Sequence, residues 1–415
     1  MAGLEEKLCP VCFQEAMEHG ECRNCGYHAE ESSAVKDYLA PFTILKEKYL
    51  LGKSLGQGGF GITYLAENMQ SGLRCCIKEY FPSGLLQGRT PDGALILADE
   101  ENRPEYEEGK QQFIEEACAL QELRENISVV DILDFFEENG TAYFAMELIE
   151  GCNLRVFRKN HNPKQTLKMA LQMLFLLGSS LAEVHRFGMI HGDISPENIL
   201  ITQDGEIKLI DFGAARSFRQ GSDNKERKIY LKPNYAPYEQ YTQKPCQGPW
   251  TDIYALAATF YFIVSGRKML DALSRAKGAS YPPLHELCPA VSRQLSDVID
   301  KALAFDYHDR YRRMLDFLDA LEQVVRPEDY DIDLGALMPK SKASKQAEIH
   351  VETSDDSEKM CQVEEQNMPE PKRLAAFFHP KKRRLAYLEL TMRKSGGHIS
   401  RCASSVIAGR ALFSA

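Results

Sequence analysis

Four cysteines near the start of the chain form two pairs, Cys9-Pro10-Val11-Cys12 and Cys22-Arg23-Asn24-Cys25, separated by nine residues. A Cys-x-x-Cys turn can aim both thiolates at one ion, and two such turns facing each other supply the four sulfurs of a closed tetrahedral zinc site. Gly26, directly after the second pair, lets the backbone turn tightly and point amides at the sulfurs. The pattern predicts structural Zn2+ on Cys9, Cys12, Cys22 and Cys25. Reduced surface cysteines are the alternative, and a redox pair would need one Cys-x-x-Cys beside a βαβ unit, which the sequence lacks.

A second group of residues has phosphate chemistry in reach. The run Gly56-Gln57-Gly58-Gly59-Phe60-Gly61, with Thr63 just beyond, lies between two strand-like stretches. Glycines allow backbone amides to approach phosphate oxygens closely, although a glycine hairpin without a ligand has the same composition. A dinucleotide fingerprint would open a helix, whereas here a strand, Ile62 to Ala66, follows. Lys78, at the end of the next strand, is placed to hold α- and β-phosphates, with a glutamate of the following helix to orient it. Glu116 shares a helix face with Phe113 and Leu120 and is the first choice, Glu115 the second.

His191-Gly192-Asp193-Ile194-Ser195-Pro196-Glu197-Asn198, with Asp211-Phe212-Gly213 starting thirteen residues after Asn198, has the spacing of a kinase catalytic loop and metal-binding loop. On these motifs the stretch from about Tyr49 to Arg326 resembles eukaryotic-like serine/threonine protein kinases, and Lys78-Glu79-Tyr80-Phe81-Pro82 looks like the corresponding run of bacterial members. The resemblance implies transfer of the γ-phosphoryl group of ATP to a hydroxyl of a protein substrate, with Mg2+. It implies that Asp193 accepts or orients the hydroxyl proton and that Asn198 and Asp211 hold magnesium, with Lys78 completing the catalytic set. Met146, Glu147 and Ile149 match the hinge whose backbone hydrogen-bonds adenine. Ala236-Pro237-Tyr238-Glu239 resembles the end of an activation segment, with Arg310 the best match for the buried partner of Glu239, and Asp252 matches the aspartate that props the catalytic loop. The cysteine pairs resemble a short zinc ribbon.

Three places depart from that pattern. Gly192 stands where an arginine often receives a phosphorylated activation segment, which predicts activity without such phosphorylation; Ser217 and Ser222 are the segment's candidate phosphosites. Ser195 stands where serine/threonine kinases carry a lysine that helps neutralise the transferred group, and no threonine precedes Tyr235 at the place where one contacts the catalytic aspartate. Some stabilisation of the transition state must then come from elsewhere or be missing.

The elements around these motifs predict an α+β, bilobal fold: strands at Tyr49 to Leu65, Leu73 to Tyr80, Val129 to Phe136 and Tyr143 to Glu147, then helices at Thr166 to His185, Thr251 to Ser265 and Val291 to Phe305. Short strands are expected at Asn198 to Ile201 and Ile207 to Ile210. The domain reading is a separate zinc-ribbon-like module over 1–30, a linker over 31–48, a kinase-like domain over 49–326 and a largely disordered tail over 327–415. The long connection from Lys78 to Glu116 reads either as a regulatory insert over the lobe junction or as a surface loop.

A net charge of −10 argues against a phosphate-tracking protein, so no nucleic acid is expected, and the basic run Pro380-Lys381-Lys382-Arg383-Arg384 reads as a solvated part of the tail. The most apolar stretch, Leu167 to Val184, is interrupted by Lys168, Gln172 and Glu183 and reads as a buried helix, so no membrane span is expected. With the opening MAGLEEKLCP unlike an export signal and eight of the 12 cysteines scattered, the expectation is a cytoplasmic protein with reduced thiols. Two other functional classes fit parts of the sequence. His-Gly-Asp-x-x-x-x-Asn loops also occur in aminoglycoside- and choline-type small-molecule kinases, which generally lack the 213–239 segment; a nucleotide-binding pseudokinase scaffold would have no use for the complete set of Lys78, Asp193, Asn198 and Asp211.

Overall fold

The two cysteine pairs are spread over a small hairpin, β1 (Met17–Glu18) and β2 (Glu21–Cys22), and each pair is followed by a residue in the left-handed region, Phe13 at φ 56° and Gly26 at φ 74°. That shared turn lets the Phe13 amide reach the carbonyl of Cys9 and the Gly26 amide that of Cys22, folding both knuckles the same way. The computed structural model describes residues 7–29, 37–58, 61–123, 128–212, 216–217, 231–242 and 246–331, all within one compact unit, Met1–Ala343. Most of the stretch read as a disordered tail lies outside the described residues, as do Gly59, Phe60, Gly213 and Ser222, and for Ser217 only the backbone is described.

Strands β3 (Ile44–Leu45), β4 (Tyr49–Gln57), β5 (Gly61–Asn68) and β6 (Arg74–Tyr80) begin an antiparallel sheet that β9 (Ile132–Glu138) and β10 (Thr141–Glu147) complete, in the order β3-β4-β5-β6-β10-β9. β6 is central and, apart from Arg74, buried along its whole length, which suits a strand covered on both faces. Its register sets Lys78 opposite Thr63 of β5 and Phe144 of β10. The expected linker is shorter than 31–48: Ile44 and Leu45 pair with β4, and Leu39 and Leu45 are buried in the sheet's core because an apolar edge needs covering.

The 1–30 module is distinct in sequence but packs against β4 in space. Pro10, inside the first cysteine knuckle, accepts from the Lys53 amide at 2.9 Å, and Gly52 leaves room for it: a Cβ there would lie 2.2 Å from the Pro10 oxygen and 2.7 Å from Phe13.

Within the Lys78–Glu116 connection, β7 (Leu86–Arg89) and β8 (Leu95–Leu97) form an ordered hairpin. Arg89 is its anchor, ion-pairing with the fully buried Glu79, which also accepts from the hydroxyls of Tyr64 and Tyr143 at 3.0 and 2.7 Å. The hairpin meets the sheet beside Asn139, at the end of β10 away from the hinge. Helix α1 (Arg103–Glu122) then lays Phe113, Ala117 and Leu120 on the sheet, with Phe113 stacked on Phe144 at a ring separation of 4.8 Å.

The second lobe is helical. β11 (Gly151–Asn153) leads into α2 (Leu154–Asn160) and α3 (Pro163–Arg186), which Asn162 caps with Gln165 and Pro163 in the first turn. β12 (Met189–Ile190), β13 (Ile199–Thr202), β14 (Ile207–Leu209) and β15 (Arg216–Ser217) carry the loops of interest, and α4 (Pro249–Ser265) runs through the core, buried from Thr251 to Ile263. α5 (Ala272–Ala276), α6 (Leu284–Leu287), α7 (Arg293–Ala302), α8 (Met314–Glu322) and α9 (Pro327–Tyr330) close the lobe. Among the described helices only α3 is long and apolar enough to cross a membrane, and it is packed against α4 and α8, with Gly178 admitting Leu318. α3, α4 and both short strands fall within a few residues of their expected positions.

Candidate active site

The loop between β12 and β13 is held by one carboxylate. Asp252, fully buried in the first turn of α4, accepts from the amides of His191 and Gly192 at 2.8 and 2.9 Å and faces the His185 ring nitrogen at 2.8 Å. Burial alone would raise its pKa, but His185 and these donors outweigh it and hold the group below the usual carboxylate range. Gly192 takes φ 76°, which brings two successive amides onto the same carboxylate and which a residue with a Cβ adopts at a cost. The His191 Nδ1 accepts from the Asp193 amide at 3.1 Å while its Nε2 meets the Ile210 carbonyl at 3.2 Å, and its ring lies against the buried Phe212. One histidine thereby ties the Asp193 loop to the Asp211 loop.

These supports bring the expected residues together. Lys78 donates to Asp211 at 2.6 Å, and Asn198 donates to the Asp193 carbonyl and carboxylate, both at 2.8 Å. The Lys78 ammonium pulls the Asp211 carboxyl well below its usual range; burial opposes the charge on Lys78, but Asp211 and then Glu116 raise its pKa. Asp193 moves the other way, up, because burial outweighs the nearby Lys232. Glu116 is the exception. It lies buried within the field of Lys78, but its Oε1 has no hydrogen-bond partner, and burial pushes its pKa up to about 7. Lys78 hydrogen-bonds Asp211, not the glutamate expected to orient it, while Glu116 acts on it through its charge.

The glycine hairpin narrows to Gly58, whose amide donates to the Gly61 carbonyl at 2.8 Å, with Gly56 opposite Thr63 and Gln57 opposite Ile62. Gly61 is required by the protein itself, since a Cβ would lie 2.4 Å from the Glu79 carbonyl. Among the described residues a Cβ at Gly56 or Gly58 would meet nothing within 4 Å, so these two leave space in which the backbone can close on a phosphate. At the other end of the cleft the Glu147 carboxylate is occupied by Lys208 at 2.7 Å and the Asp131 amide at 3.0 Å, and its own amide pairs with Asp131. The backbone of 147–149, not the glutamate side chain, is what a base could meet there.

A family model of the protein kinase domain matches residues 49–319. The chain belongs to the protein kinase domain family. Among similar curated proteins, "Serine/threonine-protein kinase F" of Synechocystis is 31% identical over 286 residues, covering 65% of this chain and 53% of that protein. "Serine/threonine-protein kinase PknA" of Nostoc is 29% identical over 289 residues, covering 67% and 48%. The chain spans about half the length of these curated relatives. A solved structure titled "PpkA-294 apo form" is 34% identical with a TM-score of 0.58, covering 69% of this chain and all of that one.

In the kinase domain the segment before α4 docks on the catalytic loop. Glu239 meets Arg310 through two contacts of 2.7 and 3.1 Å, and Gln240 donates to the Gly192 carbonyl at 2.8 Å. Sequence reasoning found the Glu239–Arg310 pair and missed Lys232, whose ammonium is 2.8 Å from Asp193 and 2.9 Å from the Ser195 hydroxyl. The missing threonine before Tyr235 was the available signal, because the residue in its place is this lysine.

Outside the kinase domain the four cysteine sulfurs lie within 4.8 Å of one another, with Cys9–Cys25 and Cys12–Cys22 at 3.6 Å. Four sulfurs about 2.3 Å from one tetrahedral ion would be about 3.8 Å apart, so the spacing fits such an ion.

Proposed function

We propose that the protein is an ATP- and Mg2+-dependent protein serine/threonine kinase whose cysteine module holds a structural Zn2+. The observation that carries the choice of a protein substrate is the 231–242 segment, seated on the catalytic loop by Gln240–Gly192, on Asp193 by Lys232 and in the core by Glu239–Arg310. A small-molecule kinase has no need of such a peptide-positioning ledge. The names of the similar curated proteins support phosphoryl transfer to serine and threonine hydroxyls.

In this reading Asp193, rigidly placed by His191 and Asn198, orients the acceptor hydroxyl and takes its proton. Asn198 and Asp211 would hold magnesium, which when bound neutralises phosphate charge. Lys78 is in place to hold the phosphates once Asp211 engages the metal, and Gly56 and Gly58 let the backbone close over them.

Purified protein with γ-labelled ATP, Mg2+ and a generic protein substrate should put label into serine or threonine, and the Asp193→Asn and Asp211→Asn variants should not. Magnesium-dependent ATP binding without any label in protein would refute the reading. The zinc assignment predicts about one zinc per chain, lost in Cys12→Ser; a metal-free preparation whose cysteine module remains folded would end it.

A further inference from the structure

We propose that Lys232 is a catalytic residue, delivering from the activation segment the positive charge that the catalytic loop lacks at Ser195. The inference rests on the kinase reading and adds to it the group that stabilises the moving phosphoryl.

Phosphoryl transfer spreads negative charge over the oxygens of the group in flight, and fixed cations at that point lower the barrier. On the acceptor side the catalytic loop offers none: Gly192 and Ser195 bring no charge, and Lys78 sits on the Asp211 side of the cleft. The buried Ser195 hydroxyl accepts instead from Lys232 Nζ at 2.9 Å, and the same nitrogen is 2.8 Å from Asp193 Oδ2. An ammonium within hydrogen-bond distance of the carboxylate that positions the acceptor hydroxyl lies beside the path of any group arriving at that hydroxyl.

Its backbone is equally fixed. The Lys232 carbonyl accepts from the amides of Tyr235 and Ala236, both at 2.9 Å, Asn234 donates to the Met269 carbonyl at 2.7 Å, and Glu239 is clamped by Arg310. Its side chain keeps 34% of its exposure, so it can follow an incoming phosphate without being unpacked.

In the step itself the acceptor oxygen bonds to the γ-phosphorus as the bond to the bridging oxygen breaks, the electron pair leaves on ADP and the hydroxyl proton passes to Asp193. Lys232 stays protonated throughout, exchanging its contact with Asp193 for phosphoryl oxygens. Ser195 is a positioning residue, holding the ammonium in place with its hydroxyl.

The test is steady-state kinetics on the full chain with Lys232→Met, Ser195→Lys, Lys232→Thr and the exchanged double variant Ser195→Lys/Lys232→Thr, alongside fluorescent-nucleotide binding and thermal melts. Loss of one pre-organised donor to a charged transition state costs about 100- to 1,000-fold in kcat. Lys232→Met should therefore lose about that much kcat while KM for ATP, nucleotide affinity and melting temperature stay close to wild type. The double variant, which restores one ammonium to the same spot from the other side, should exceed both Lys232 single variants in kcat by about tenfold or more. A Lys232→Met enzyme with wild-type kcat, or a faster one, would overturn the proposal, the latter showing the contact to be an inhibitory latch. A folded double variant no better than Lys232→Thr would overturn it too. Failure of the wild type to label protein would instead count against the kinase reading itself.

Discussion

Arg310 and Glu239, beneath the catalytic loop, are 0% and 2% exposed, joined by two parallel contacts, with every remaining guanidinium hydrogen donated to the carbonyls of Ala304, Phe305 and Trp250. Lys78–Asp211 and Lys232–Asp193, within the cleft, are single contacts to carboxylates that are 45% and 21% exposed. An arginine fork fixes its partner's orientation, whereas a lysine ammonium is a point charge on a flexible stem that can change partners with little rearrangement. In the proposed reaction the difference separates a pair that the fold must keep from pairs that catalysis must open, since Asp211 would accept metal and Asp193 a hydroxyl. The same chemical element, a carboxylate beside a cation, is built rigid where it is structural and loose where it is used.

The largest effect should come from breaking the rigid pair. Arg310→Ala leaves Glu239 charged in the core and removes three carbonyl contacts, and the loss of one partner of a buried pair costs about 3–5 kcal/mol. Urea unfolding should show that loss, and Arg310→Lys should recover little of it because an ammonium cannot meet five acceptors at once. Asp211→Asn, by contrast, should abolish phosphotransfer while lowering the urea midpoint at neutral pH by less than Arg310→Ala does, because water reaches 45% of the Asp211 side chain and screens its pairing with Lys78. If Arg310→Ala unfolded like wild type, the contrast between the two kinds of pair would be lost.

Glu116 tests the cleft from its unpaired side. Its carboxyl holds a proton up to about pH 7 in the folded chain and only to the ordinary 4.5 when unfolded. The folded state then binds more protons between those values, so stability contributed by this group falls as pH rises from 4.5 to 7. In metal- and nucleotide-free protein, Glu116→Gln should be more stable than wild type by on the order of 2–3 kcal/mol at pH 8 and by nothing at pH 4.5. A wild type that is the more stable at pH 8 would mean that Glu116 is paired with Lys78 in solution.

What could be read from the sequence follows from the range of each interaction. The catalytic loop, the Asp211 loop and the Phe113, Ala117, Leu120 face are local patterns, and Glu239–Arg310 came through a resemblance that carries both partners. The missing threonine marked the place of Lys232, but its partners were not legible because its role depends on Ser195, thirty-seven positions away. The β7–β8 hairpin was hidden for a similar reason: its glycines and proline read as loop, while Arg89 is held by Glu79 from a different strand. Residues 37–48 fell within the 31–48 linker because a two-residue strand leaves no period, yet Leu39 and Leu45 are core. The hydrogen-bond partner of Lys78 was not legible because the sequence shows which charges are present and not which of Glu116 and Asp211 the ammonium reaches.

The smallest effects should come from one strand that meets both regions. Gly52 and Gly56 lie four residues apart on β4, neither in the left-handed region, so alanine strains neither backbone. At Gly52 the new methyl meets a carbonyl of the cysteine module at 2.2 Å, an immovable contact, and the module must lift from the sheet at a cost of about 1–3 kcal/mol. At Gly56 the methyl meets nothing, and a thermal melt should be unchanged, while KM for ATP rises because the space kept clear is the space a phosphate would use. A melt lowered at Gly56 and unmoved at Gly52 would reverse the assignment of rigid and open surfaces along this strand. The expected split would show that one β-strand is packed tight at one end for a fixed neighbour and left bare at the other for a transient one, the division seen in the ion pairs.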